Sequence, residues 1–572
     1  DQTAAVRAQY PGLTIAETGN ASVSHGLDAQ RGSDLLLSEE ITLPITLIIL
    51  LLVFGSVLAA GIPVLLALLS IVGAMGLYAI ATHVFPDAGV GDQLIVLMGM
   101  AVGVDYSLFY IRREREERQR SGGTISPEAA VRLAAATAGR AILMSGFAVL
   151  ITAACLFLAD DVIFTSLAVG TMIVVLVSVV SSLTVLPALL VKLGGRVDRR
   201  RARSGESRLW AALLRPAMRR PVVTLTVATL AMLACAVPAL HLRLGTPSND
   251  GFSRSVVELR TGDQLATLFP AQRAANLVAV HDNSADIRTT LTHLNDLVNA
   301  DPRFAGHVSG KIKLAPDGHT GTLQVFTSYP VSSPEALAAL QRLRDTLVPE
   351  ALRGGDYGVS GDVARNIDYV GHENQRLPWV LGGVLLVTLL MMLVIFRSLV
   401  IAAVGVLLNL LSAAAAFGAL VGVFQGTWAQ GMLGFTSLGF IGSRVPLFLF
   451  VILFGLSMDY QIFVVSRIRE GVLRGVPTRQ AVFDGITRSA SVVSSAALVM
   501  VSVFVSFMFL HLLELKQTGF GLAVAVLLDA VVVRALILPS ILSLLGRASW
   551  WPSRAPEGSD SATLHLPVPS YR

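Results

Sequence analysis

The chain has 572 residues, of which 53% are hydrophobic and only 15% charged. Soluble domains carry roughly a quarter charged residues, so an ordinary soluble protein is excluded and spans of about 20 apolar residues are expected instead. The formal charge of +5 is concentrated beside apolar runs, a distribution that orients membrane spans and points away from nucleic-acid binding.

Residues 1–38 are expected to be the remnant of a first extracytoplasmic domain. The apolar stretch 41–80 is long enough for two spans, with a tight turn at "FGS" (54–56). Runs at 93–111, 139–159 and 162–191 complete a first bundle of five spans, 39–193. Loops 84–92 and 159–162 carry acids and no base, so they face outward. Segment 192–220 holds ten Lys/Arg against two acids; its part 194–220 reads as a basic cytoplasmic linker. A sixth span, 221–240, leads into the polar stretch 241–376. There "NLVAVHD" and "TLQVFTSYP" read as strands, "ADIRTTLTHLNDLVN" and "SPEALAALQRLRDTLV" as helices, and the stretch as a compact extracytoplasmic α+β domain. Five spans follow within 377–546, at 378–396, 399–423, 446–465, 490–511 and 517–545, which makes eleven in all. The tail 547–572 is expected to be cytoplasmic and disordered. Cys155 and Cys235 lie inside apolar runs and read as small hydrophobes.

The chain repeats itself. "VFGSVLAAGIPVLLALLSIVGAMG" (53–76) aligns without gaps to "IFRSLVIAAVGVLLNLLSAAAAFG" (395–418), an offset of 342 that also pairs "TGN" (18–20) with "SGD" (360–362). Beyond the third spans the offset becomes 354, owing to extra residues around "FQGTWAQGMLGFTSLGFIGSRVP". Pro187 matches Pro539 late in each copy. Both copies have the same topology, so they are parallel repeats related by an axis along the membrane normal. Asp1 aligns with residue 343, and the first copy is therefore expected to lack its opening span and most of its exposed domain. The fold class expected is a polytopic α-helical membrane protein of two tandem repeats with one porter-like α+β domain.

Near the end of the third span of each copy stands a buried carboxylate. The shared phrase is D-Y-x2-F-x3-R-x2-E: Asp105, Tyr106, Phe109, Arg113 and Glu116 against Asp459, Tyr460, Phe463, Arg467 and Glu470. These five positions fall within about a 100° arc of a helix. At 1.5 Å per residue Asp105 lies roughly 10 Å inside the basic end at Arg112, too deep to snorkel. Such a carboxylate costs about 2.5–3.5 kcal/mol in the membrane and marks a functional site by default. It is far cheaper protonated than charged, so it can load and unload a proton as its surroundings alternate. The competing reading is a hydrogen bond that glues two helices, which recurrence at matched depth and face disfavours. Within one helix Asp and Tyr at i and i+1 point about 100° apart. Across the axis they can meet: Asp105 with Tyr460, and Asp459 with Tyr106. Gly99, Gly103, Gly455 and Ser457 permit close helix approach.

Asp529 is a third buried carboxylate, without an acidic counterpart in the first copy. Arg534, five residues on, lies about 140° around an α-helix and is not expected to pair with it; it would find a partner on another helix or snorkel. Ser145, in "GRAILMSG", opens the following span of the first copy, with helix packing or a contact to Asp529 as its expected roles.

On the two Asp-Tyr phrases, "GR…SG" at 139–146, the "FGS" and "FRS" turns and "LLDAVVVRALILP", the chain resembles the MMPL transporters of the resistance-nodulation-division superfamily over residues 15–547. That resemblance implies proton flux through Asp105, Tyr106, Asp459, Tyr460 and Asp529, with Ser145 and Arg534 supporting. It implies proton-driven export of lipids or other hydrophobic molecules across the cytoplasmic membrane. Protons, a lipid-like substrate and the membrane are then the partners, with a homo-oligomer or accessory proteins left open; nucleic acid, cofactors and metals are not expected. Drug or secondary-metabolite efflux is the neighbouring alternative, and a non-transporting sensor or scaffold a third. A membrane enzyme would have to draw on His281, Asp282, His293 or His307, but H-E-x-x-H and Gly-x-Ser-x-Gly motifs are absent from the sequence.

Overall fold

The structure is a computed structural model that describes residues 2–121, 125–197, 208–245, 252, 254, 256–269, 274–283, 286–304, 312–331, 333–352 and 354–552. Among them ten helices are long and apolar enough to cross a membrane. The expected eleventh span, 490–511, corresponds to the shorter apolar stretch Val493–Phe509, formed by the end of helix Thr478–Ser506 and the 3₁₀ turn Phe507–Phe509.

The repeat visible in the sequence is a repeat of backbone conformation. Gly19 and Gly361 both have φ near 119°, and each starts a 35-residue helix, Asn20–Phe54 or Asp362–Phe396. At 1.5 Å per residue such a helix is about 52 Å long, against a hydrocarbon core of about 30 Å. Both helices must therefore project beyond the bilayer, running through 38 and 376 without a break. Each ends on a left-handed residue, Gly55 at φ 65° and Arg397 at φ 51°. The next helices, Val57–Ala81 and Leu399–Phe424, start at once. In the second copy Ser398 caps its helix by accepting from the Ile401 N–H at 3.2 Å.

Two helices form the centre. Gly91–Arg120 and Arg444–Leu473 are each 94% buried over their apolar window, against 11–67% for the other spans. Each central helix packs on a helix of the other copy: Arg444–Leu473 on Arg140–Ala154, and Gly91–Arg120 on Thr478–Ser506. Glycine permits these approaches. A Cβ on Gly455 would lie 3.5 Å from Val149 Cα and 3.0 Å from Thr152 Oγ1; within the first copy, one on Gly103 would lie 3.1 Å from Ala67 Cα.

The soluble domain is a four-stranded antiparallel sheet in the order Lys313–Leu314, Thr320–Thr327, Ala274–His281, Asp356–Gly361. Val278, Val280, Leu323 and Val325 alternate onto one face and meet Leu291 and Leu294 of helix Ile287–Ala300. The two strands and two helices read from the sequence are present; the strand Asp356–Gly361, lacking a strong apolar alternation, was not legible. The extra loop of the second copy pairs Ile441–Gly442 with Leu244–Gly245 in parallel.

Two stretches hold more structure than expected. The basic linker contains helix Arg208–Arg219, with Trp210 and Leu214 buried and Trp210 Nε1 donating to Ser494 Oγ at 2.5 Å. The start of the tail is folded: Gly546–Trp550 forms a 3₁₀ turn, and Ser398 Oγ donates to Ser549 O at 2.7 Å. Residues 553–572 lie outside the described residues.

Candidate functional site

The two Asp-Tyr phrases face each other at the centre. Asp105 is 2% exposed and Asp459 5%, and both tyrosines are buried. The Phe109 ring stands 5.1 Å from that of Phe463 and 5.8 Å from that of Tyr460. Towards the basic ends Arg467 Nη2 donates to Glu116 Oε2 at 3.3 Å, so the repeated Arg and Glu also meet across the axis. Tyr460 Oη donates to Asp105 Oδ2 at 2.6 Å. This is one of the two pairings that the i, i+1 geometry allows across the axis.

The other pairing differs. Tyr106 and Ser145 are the hydroxyl side chains facing Asp459; Ser145 Oγ donates to Tyr106 Oη at 3.2 Å, which leaves the Tyr106 proton for the carboxylate, and Asp459 Oδ1 has no hydrogen-bond partner. Ser145 is thus placed with Tyr106 and Asp459, not with Asp529. The cause is the Gly455 contact, which draws helix Arg140–Ala154 against Arg444–Leu473 and aims Ser145 at the carboxylate beside it.

Arg534 corrects a second expectation. It forms an ion pair with Asp529 inside the same helix, because Asp529–Ile537 is π-helical. A π turn closes i to i+5 and stacks residues that an α-helix would set far apart. Arg534 does not snorkel: it is 4% exposed, donates to Ser457 O at 3.1 Å, and its Cζ lies 4.5 Å from the Tyr460 ring centroid. That cation over the ring joins the Asp529 group to the Asp105–Tyr460 pair.

Ser457 Oγ lies 2.8 Å from Asp529 Oδ2 and 2.9 Å from the Asn409 side-chain amide. A hydroxyl has one proton. With that proton given to Asp529, Asn409 must present its NH₂ to Ser457 Oγ. Asn409 escaped the sequence reading, although it is the one amide in the apolar run 399–423. A cavity of about one water's size lies among Ser457, Tyr460, Asp529 and Arg534.

The charge balance is simple. Three carboxylates and one guanidinium are buried together, and the Asp529–Arg534 pair is neutral. Among the described residues Asp105 and Asp459 have no cation paired to them. A larger cavity opens at the soluble-domain ends of the central helices. Leu94, Leu97 and Phe448 form its apolar wall, and Gln93, Arg444 and Glu514 supply polar groups. Elsewhere, His281 Nδ1 lies 2.9 Å from Thr320 Oγ1 at the sheet's end, and His293 is on helix Ile287–Ala300. His307 lies outside the described residues.

Comparison with known proteins follows the same lines. The MMPL family model matches residues 1–224 and 253–561. The chain is 32% identical over 541 residues to the mycolic acid-containing lipids exporter MmpL11 of Mycolicibacterium smegmatis, covering 91% of this chain and 55% of that protein. It is 34% identical over 555 residues to the heme uptake protein MmpL11 of Mycobacterium tuberculosis, covering 93% and 56%. The chain thus spans about half the length of these relatives. SecDF, a translocon-associated membrane protein from Thermus thermophilus, shares the fold at a TM-score of 0.54 and 17% identity, over 90% of this chain and 62% of that one. With a family match over nearly its whole length, a duplicated bundle and a central pair of Asp-Tyr phrases, the chain belongs to the MMPL family of membrane transporters, in the resistance-nodulation-division superfamily.

Proposed function

We propose that this chain is a proton-motive-force-driven transporter that exports lipids or lipid-like hydrophobic molecules across the cytoplasmic membrane. The observation that carries the reading is the 2.6 Å hydrogen bond from Tyr460 to Asp105 across the two copies. A carboxylate that accepts from the opposite copy changes its surroundings whenever the copies move relative to each other. In one arrangement the hydroxyl and the nearby Arg534 favour the charged form; in another, with those donors withdrawn, desolvation favours the protonated form. Asp459, with Ser145 and Tyr106, repeats the device, and Asp529 holds Arg534 as a fixed cation over the Tyr460 ring. Rocking of one copy against the other is how parallel repeats alternate access.

A lipid-like cargo is supported by the relative named as a lipid exporter and by the mainly apolar wall of the larger cavity. The relative named for heme uptake gives a second reading, an amphiphile moving inward. Proteoliposomes with an imposed pH gradient separate these. Fluorescent lipid should move only with the gradient present and stop when a protonophore collapses it. Gradient-independent lipid movement, or movement of heme and not lipid, would refute the export reading.

A further inference from the structure

A second buried titratable pair lies outside the relay, on the side of the soluble domain. Asp34, 1% exposed, accepts at Oδ2 from the His511 backbone N–H at 3.0 Å. Its Oδ1 lies 2.7 Å from His511 Nδ1 and accepts from Gln30 Nε2 at 3.0 Å. The His511 ring is itself 43% exposed. The duplication supplies an internal control. At the offset of 342 Asp34 corresponds to Arg376, and His511, two residues before helix Leu513–Leu528, corresponds to Asp160, two residues before helix Val162–Val197. Arg376 Nη2 pairs with Asp160 Oδ2 at 2.7 Å, with both side chains solvent-exposed. Both pairs tie the long helix of one copy to the other copy. A permanently charged, exposed pair suffices for that tie in one copy, so tying alone does not call for a buried carboxylate and a histidine in the other.

Below Asp34 the two copies differ again. Ser38, Thr42 and Thr46 continue the same buried helix face at four-residue spacing, where the second copy has Val380, Val384 and Thr388. Valine has the shape of threonine, so packing of this seam does not require the Thr42 hydroxyl; at Thr46 the copies agree, and Thr388 is likewise buried with its hydroxyl unpartnered. Thr42 Oγ1 lies 2.5 Å from Ser506 Oγ, while Ser38 Oγ and Thr46 Oγ1 have no hydrogen-bond partner. Buried hydroxyls left so are costly unless water serves them. One helical turn of about 5.4 Å separates successive hydroxyls, a gap that one water spans. The column descends to the depth of the relay. Met500 Sδ lies 3.1 Å from Tyr460 Oη, and Met500 is six residues, about 9 Å, from Ser506. Thr46 is four residues, about 6 Å, from Thr42 in the same direction.

We propose that His511 and Asp34 form the proton port on the soluble-domain side, and that Ser38, Thr42, Ser506 and Thr46 carry the proton on towards Asp105. A proton from bulk water binds the exposed side of the His511 ring, the Nδ1 proton passes to Asp34 Oδ1, and the carboxylic acid releases it to water beside Ser38. One proton enters and one leaves, and no other reactant is consumed. Among the described residues the charged group facing Asp34 is Lys516, which donates to Leu433 O and Gly434 O; one helical turn away on the pair's own segments are Arg31, paired with Asp28, and Glu514, 3.7 Å from Arg444. The inference rests on the proton-driven reading given above.

The test is infrared difference spectroscopy of the 572-residue chain in liposomes with a buffered lumen, after an acid step on the soluble-domain side. A protonated-carboxyl band should grow in the wild type and be missing in Asp105→Asn. Ser38→Ala and Thr46→Val remove hydroxyls that bond to no protein group, so the thermal midpoint should hold. The band should nevertheless grow at least about tenfold more slowly in each. Asp34→Asn should be slower still, with Asp34→Glu restoring much of the rate. Wild-type rates in Ser38→Ala, Thr46→Val and Asp34→Asn would overturn the port while leaving the relay intact. If Asp105→Asn removes no band, the proton-driven reading fails and the port with it.

Discussion

The two copies place different chemistry at one spot beside the relay. In the first, Gly103 packs on Ala67, with Ser178 Oγ 3.6 Å from where a Gly103 Cβ would sit. In the second, the corresponding residues are Ser457 and Asn409, and they hydrogen-bond to each other and, through Ser457, to Asp529. Counted from the helix starts Val162 and Leu513 the offset is 351, which sets Ser178 opposite Asp529; at Pro187 and Pro539 it is 352. The one added residue is the π turn Asp529–Ile537, which makes the Asp529–Arg534 pair possible. Helix Val162–Val197 has no such turn. Duplication supplies a scaffold whose halves meet at the Asp-Tyr phrases, and divergence of one half adds a buried ion pair beside them.

Substitutions that erase the difference test its meaning, and the largest effect is expected at Arg534. Arg534→Met strands Asp529 as a buried charge and should destabilise the protein by about 3–5 kcal/mol. Adding Asp529→Ser, which restores the first copy's chemistry, should recover most of that stability in a detergent-melting series and still leave transport dead. Next in size is the bond between copies. The unfolding free energies of Asp105→Asn, Tyr460→Phe and their double variant should be non-additive by roughly 0.5–3 kcal/mol. The same cycle for Asp105 with Tyr106 should be closer to additive.

Making the first copy resemble the second is a smaller perturbation. Gly103→Ser puts a Cβ 3.1 Å from Ala67 Cα and should cost about 1–3 kcal/mol by overpacking. Pairing it with Ala67→Gly removes the further contact with Ala67 Cβ at 3.3 Å and should relieve part of the cost, which melting of the single and double variants reads directly. The smallest effect concerns the soluble domain and removes a background from any pH series on the relay. Burial alone would raise the Asp301 carboxyl, but the Arg303 backbone N–H and the Arg342 guanidinium outweigh it and hold it below the usual carboxylate range. Its contribution is therefore complete above the ordinary carboxylate pKa and lost as pH falls through the lower, folded value. Hydrogen exchange in helix Ile287–Ala300, corrected for intrinsic rates, should show about 1 kcal/mol of acid destabilisation that Asp301→Asn abolishes.

Much of this architecture was legible because it rests on long-range regularity. An offset of 342 found the paired spans and the turns at Gly55 and Arg397, though not that each span's helix begins well before it, at Asn20 or Asp362. The Asp-Tyr phrases located the central helices, and the i, i+1 geometry allowed Tyr460 to reach Asp105. What was not legible depends on departures from the ideal helix. An angle of 100° per residue held Asp529 and Arg534 apart, and only a π turn, which nothing in "DAVVVRALI" announces, brings them together. Ser145 was misplaced because its contact follows from which helix Gly455 admits. The Asp34–His511 pair spans 477 residues, beyond any local pattern.

The central claim is that Asp105 and Asp459 carry the proton that drives transport. The most direct measurement is lipid movement under an imposed pH gradient in proteoliposomes holding Asp105→Asn or Asp459→Asn protein, each matched to wild type in insertion and melting. Loss of gradient-driven movement in both variants is the predicted result. Movement at the wild-type rate in either would mean that its carboxyl group only binds helix to helix, and the relay described here would be wrong.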